Sequence, residues 1–118
     1  MIYPGFVYHL YFSTQCQHLL FKDGCVLGNR YHIVGIAHYL FHTSCWAQKV
    51  CYLQDLFTAH DLRGKGVARA LIEAVAADAR KQGAARYYWM TQEHNATARL
   101  LYDKVAKWNG FIRYEHPL

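Results

Sequence analysis

Apolar positions change their spacing along this chain, and each change marks an element boundary. From Val50 to Thr58 the run VCYLQDLFT is apolar and aromatic, as a largely buried strand requires, and it ends at Ala59-His60-Asp61-Leu62-Arg63-Gly64-Lys65-Gly66. From Val67 the period becomes helical: Ala68, Leu71, Ile72, Val75 and Ala79 follow an i, i+3, i+4 stripe. An amphipathic helix is predicted there, with Arg69 and Glu73 paired on its wet face and Gly83 as its left-handed stop. Arg86 to Thr91, RYYWMT, reads as a strand. Asn95 then suits the N-cap of a second helix whose stripe is Ala98, Leu101, Tyr102, Val105 and Trp108, with Arg99, Asp103 and Lys107 paired opposite. Asn109-Gly110 ends that helix, and Phe111 to Tyr114 forms a last strand.

Upstream, Tyr31 to Phe41 is a strand carrying Ile33, Val34, Ile36, Tyr39 and Phe41. Phe6 to Phe12 and His18 to Val26 are apolar runs, and Leu27-Gly28-Asn29-Arg30 offers turn chemistry, so two short strands are expected, joined by a hairpin to the strand at Tyr31. An antiparallel start and then strand, helix, strand, helix, strand indicate an α/β (α+β) fold: a mixed, mostly antiparallel central sheet with helices packed on it.

Composition narrows the setting. The chain has 118 residues, 53% of them hydrophobic, which is room for one domain with one core; residues 1 to 118 are read as that domain, with 1 to 30 its atypical part. No run is apolar and long enough for a membrane span, and Met1-Ile2-Tyr3-Pro4-Gly5 lacks the features of a signal peptide, so a cytoplasmic location is expected. Cys16, Cys25, Cys45 and Cys51 have neither CxxC spacing nor scaffold density and read as reduced structural thiols. A formal charge of +5 favours an anionic partner, a phosphorylated cofactor or a nucleic acid, and no RNP1 or helix-turn-helix pattern supports the latter. His38 and His42 share a strand face, but no third ligand can be placed, so no metal is assigned.

The segment Arg63-Gly64-Lys65-Gly66-Val67-Ala68 carries the most chemistry. It lies between a strand and a helix, where backbone N–H groups lack partners, and its small residues let a bulky anion approach. It is not a mononucleotide P-loop, because Gly66 precedes Val67-Ala68, nor a dinucleotide fingerprint, because Arg69 stands where the last glycine belongs. Read alone, it is either a diphosphate cradle or merely a tight turn.

With its surroundings, LQDLFTAHDLRGKGVARALI, it closely resembles the signature of the GCN5-related N-acetyltransferase superfamily. The resemblance implies acetyl-coenzyme A as co-substrate, its pyrophosphate held by Arg63, Gly64, Lys65, Gly66, Val67 and Ala68. It also implies that a splayed strand offers Asp55, Leu56, Phe57 and Thr58 to the pantetheine arm. The spacing from Asn95 to Tyr102, and Gly110-Phe111 after it, resembles the family as well. There the asparagine contacts the cofactor arm and the tyrosine hydroxyl lies near its sulfur; bottom-up, Asn95 is equally a cap and Tyr102 a core aromatic. Tyr102 would protonate the leaving thiolate, and Asp55 or His60 would be the base. YLQDLF resembles the diamine and thialysine acetyltransferase branch, which implies a polyamine-like or lysine-like amine facing Asp55, with Gln54 where some relatives carry an acid.

The resemblance runs from about Ile33 to Tyr114. The first 30 residues show no stripe for the two helices that complete members carry, so the start reads as shortened. An N-acetyltransferase acting on a small-molecule or protein amine is expected, or alternatively a non-catalytic acyl-coenzyme A binding module. The apolar start, Phe6 to Phe12, is expected to contact a second copy in a homodimer.

Overall fold

The computed structural model describes the strands at residues 8–12, 16–21 and 24–28 and, with its side chains, the chain from residue 33 to 118. Six strands form one sheet in sequence order: β1 (Tyr8–Phe12), β2 (Cys16–Phe21), β3 (Gly24–Gly28), β4 (Ile33–Ser44), β5 (Gln48–Thr58) and β6 (Arg86–Tyr88). All neighbours are antiparallel except β5 and β6, which are parallel. Parallel neighbours need a long crossover, and helix α1 (Val67–Lys81) supplies it; a second helix, α2 (Ala96–Val105), comes after β6. The mixed, mostly antiparallel sheet with packed helices is thus as expected. The start differs: the run His18 to Val26 is two strands rather than one, so three strands precede β4. The turn residues Asn29 and Arg30, and the side chains of Phe6 to Phe12, Cys16 and Cys25, lie outside the described residues.

The main core cluster lies on one face of the sheet. Ala37 and Tyr39 of β4 and Cys51 and Leu53 of β5 are buried against Leu71, Ile72, Ala74, Val75 and Ala79 of α1; four of these helix residues belong to the predicted stripe, Ala74 joins them, and Ala68 is only half-buried. Burying a Leu or Val side chain contributes about 1.5–3 kcal/mol, so this face holds α1 down. Polar ties add to it: the Tyr39 hydroxyl donates to Asp78 Oδ2 at 2.6 Å, and the Tyr87 hydroxyl to the Ile72 carbonyl at 3.2 Å. Gly35 marks the closest approach. A Cβ there would lie 2.7 Å from Val67 Cγ1 and 2.8 Å from Leu71 Cδ1, so the absence of a side chain lets the start of α1 rest on β4.

Four expectations are corrected. β6 stops at Tyr88 instead of reaching Thr91, because pairing with β5 covers only Val50 to Tyr52. Phe111 to Tyr114 forms no strand; propensity without a ladder partner leaves Phe111 and Tyr114 exposed. Trp108 leaves the stripe of α2 because the backbone turns extended at Ala106, and its side chain is 73% exposed. The pairs Arg69–Glu73 and Arg99–Asp103 do not form; among the described residues Arg113 pairs with Glu115, and the His38 ring meets the Asp55 carboxylate at hydrogen-bond distance. Arg99 donates instead to the Glu93 carbonyl at 2.8 Å.

Candidate active site

β5 and β6 are paired at Val50, Cys51 and Tyr52 and then part. From Leu53 to Thr58 the edge of β5 that faces β6 has no strand partner among the described residues, which exposes roughly 17 Å of peptide groups at about 3.3 Å per residue. Asp55, Leu56, Phe57 and Thr58 all lie on this stretch. The open edge runs directly, through a single helical turn at His60–Leu62, into Arg63 and the start of α1.

That start is arranged for an anion. Gly64 and Gly66 hold φ of 76° and 85°, in the left-handed region that costs other residues, and no atom lies within 4 Å of where a Cβ would stand. The first intrahelical bond runs from Ala70 N–H to the Gly66 carbonyl at 3.0 Å. The N–H groups of Val67, Ala68 and Arg69 therefore precede every helical acceptor and point out of the helix end. No side chain caps them, and the first turn contains no acidic residue, so the positive end of the helix dipole is left for an external charge. Arg63 and Lys65 stand exposed beside it. A diphosphate fits these residues, and an extended amide chain fits the edge of β5.

α2 brings up the other elements. Asn95 occupies the N-cap position, but its side chain does not cap; the Nδ2 group donates to Thr91 Oγ1 at 3.0 Å. Tyr102, two turns on, is half-buried with its ring 5.4 Å from that of Trp89, which in turn lies 5.4 Å from Tyr87. Tyr102 thus packs from the helix side of the sheet, as the apolar stripe implies. Burial pushes its hydroxyl pKa above the usual phenol value, which keeps it a proton donor through the neutral range.

The opposite face of the sheet carries no helix among the described residues. Alternation along β4 puts Ile36, His38, Leu40 and His42 there, in register with Phe57, Asp55, Tyr52 and Val50 of β5. Two constellations that the sequence reading missed lie on this face. His38 Nδ1 is 3.0 Å from Asp55 Oδ2. Nearer the β4–β5 hairpin, His42 Nε2 is 2.9 Å from the Tyr88 hydroxyl, and the Tyr88 ring stacks on Tyr52 at 4.9 Å. Burial, then the neighbouring Tyr52, raises the pKa of Tyr88. His38 and His42 do share a face, but each has its own partner, and no three His, Cys, Asp or Glu side chains converge on a metal position among the described residues. His60 sits beyond the end of β5, toward the turn and away from Asp55. A shallow depression lined by Phe41, His42, Thr43, Gln48 and Lys49 lies at the hairpin end, remote from the glycine turn.

Similarities to known proteins bear on this arrangement. Residues 3–107 match the model of the Acetyltransferase (GNAT) family, a match that reaches well upstream of the resemblance read from Ile33 onward. The chain is 45% identical over 83 residues to the D-amino-acid N-acetyltransferase HPA3 of Saccharomyces cerevisiae, an alignment covering 70% of this chain and 52% of that protein; the chain spans about half the length of this curated relative. Among solved structures, a ribosomal-protein-alanine N-acetyltransferase from Brucella melitensis biovar Abortus 2308 superposes with a TM-score of 0.70 at 18% identity, over 90% of this chain and 74% of that one. An aminoglycoside acetyltransferase AAC(6')-Iy, crystallised with coenzyme A, does so with a TM-score of 0.64 at 18% identity, over 90% and 66%. These structures share the fold, and with the family match over most of its length, this chain belongs to the Acetyltransferase (GNAT) family.

Proposed function

We propose that the chain binds acetyl-coenzyme A and transfers the acetyl group to the primary amine of a small, lysine-like or amino-acid-like acceptor. The observation that carries this reading is the continuity of the unpaired β5 edge with the carboxylate-free start of α1. Arg63, Gly64, Lys65, Gly66, Val67 and Ala68 would hold the diphosphate, and Asp55, Leu56, Phe57 and Thr58 would pair their backbone with the arm; Asn95 would meet the arm from α2. When bound, acetyl-coenzyme A supplies an activated thioester. The chain then has little chemistry to add beyond alignment, which accounts for most of the rate in such a transfer. Backbone N–H groups on the open edge stabilise charge on the carbonyl oxygen. Tyr102, a phenol whose pKa burial raises further above the usual value, delivers its hydroxyl proton to sulfur. Asp55, exposed on the helix-free face, attracts a cationic amine.

The name of the yeast relative supports an amino acid as acceptor, and the YLQDLF spelling a diamine or lysine. Calorimetry with acetyl-coenzyme A, and then thiol release with D-alanine, D-lysine, L-lysine, putrescine and spermidine, tests the reading: micromolar binding and amine-dependent release are expected. Binding without release from any amine would favour a second reading, an acyl-coenzyme A binding module. Self-association into a homodimer is also proposed, and sedimentation at micromolar concentration checks it; a strictly monomeric species would refute it.

A further inference from the structure

Tyr39 pairs with Leu53, so a regular ladder would set His38 opposite Gln54. A bulge between His38 and Tyr39 advances the register by one residue and brings Asp55 there instead. The carboxylate and the imidazole meet at 3.0 Å as a result. Opposite His38 on its other side stands Gly24 of β3, which has no side chain. The other titratable groups on this face, His42, Tyr52 and Tyr88, are engaged with one another. Among the described side chains, Asp55 is therefore the charged partner of His38.

We propose that His38 is the general base of the acetyl transfer and Asp55 the residue that positions it, an assignment that rests on the transferase reading above. With Nδ1–H donated to the Asp55 carboxylate, the lone pair is carried by Nε2. His38 stands on β4, about 5 Å from β5 and so roughly 10 Å, two strand spacings, from the middle of the gap beyond it; an amine lying over Gln54 and Asp55 would sit between the two. Tyr102 packs with Trp89 against the core on the helix side of the sheet, so base and acid would act from opposite faces. The amine nitrogen bonds to the acetyl carbon and gives a proton to His38 Nε2; the carbon–sulfur bond breaks, and the sulfur takes the Tyr102 proton. The imidazolium then releases its proton to water, and the phenolate takes one back. An imidazole suits this work at neutral pH better than a lone carboxylate.

The test uses the full chain with the best amine of the panel, in His38→Gln, His38→Ala and Asp55→Asn variants. Both His38 variants should lose roughly 10²- to 10⁴-fold in kcat while acetyl-coenzyme A affinity, read by calorimetry, stays within about three-fold. Nitrogen-15 NMR of the ligand-free protein gives a second readout independent of turnover: the neutral His38 ring should carry its proton on Nδ1 in the wild type and shift toward Nε2–H in Asp55→Asn. Wild-type turnover with unchanged kcat in both His38 variants would overturn the assignment alone, as would an Nε2–H ring in the wild type. A wild type that binds acetyl-coenzyme A but acetylates no amine would overturn the transferase reading and this assignment with it.

Discussion

On one side of the sheet Ala37, Tyr39, Cys51 and Leu53 are sealed by α1, whereas on the other Ile36 and Phe57, in register with one another, stay 42% and 57% exposed. The same two strands build both faces, so the difference comes from what lies against them. On the sealed side the buried side chains pack against α1, and through α1 hold the glycine turn in place. On the open side the polar groups are paired with each other across strands and remain available to a ligand. The core packing is therefore on one face, and under the proposed function the acceptor would meet the other face while the donor lies along the edge between them.

That division can be broken at five points, in falling order of effect. Tyr102→Phe, on the sealed side, should lower kcat roughly 10- to 10⁴-fold with acetyl-coenzyme A affinity held within about three-fold; steady-state kinetics beside calorimetry decide it. Because burial raises the Tyr102 pKa above 10.0, wild-type kcat should lose the proton donor only as pH climbs past that value. Leu71→Ala empties the middle of the sealed face and should cost about 2–5 kcal/mol in urea unfolding. Gly66→Val forces a β-branched residue to a φ of 85°, a strain of about 1–3 kcal/mol, and should abolish measurable acetyl-coenzyme A binding while circular dichroism stays native.

Cys51 gives a subtler test of the sealed face. Burial, then the charge of Asp78, pushes its thiol from 9.0 up to about 11. The folded state binds that proton more tightly than the unfolded chain, so the associated stability is complete below pH 9.0 and is lost as pH rises through about 11. The unfolding midpoint of wild type should accordingly fall toward that of Cys51→Ala over this window. Smallest of all, Phe57→Ser on the open face should change unfolding by no more than about 0.5 kcal/mol. A loss comparable to Leu71→Ala would mean that something covers this face in solution.

The sealed half is legible in the sequence because its signals are local. A helical stripe from Ala68 to Ala79, two glycines at its start and a strand run before it place α1 and the turn within a residue or so of where they lie. What escapes depends on partners distant in the chain. β6 is cut short by the divergence from β5, Phe111 to Tyr114 finds no ladder, and Asn95 reaches back to Thr91 rather than capping. The His38–Asp55 pair is hidden for a sharper reason. Counting back from the Ser44–Gln48 end of the hairpin predicts a His38–Gln54 pair, and one extra residue in β5 changes the answer. Nothing in the spelling of YLQDLF announces that insertion.

The three-residue contact between β5 and β6 has one further consequence. An edge made of peptide groups reads an extended amide chain without regard to the side chains that flank it. Under the proposed function, grip on the donor and taste for the acceptor would be written in different alphabets, main chain for the first and side chains for the second. Changing Gln54, Phe57 or Tyr52 can retune which amine is welcome while the hold on the acyl carrier stays as it was.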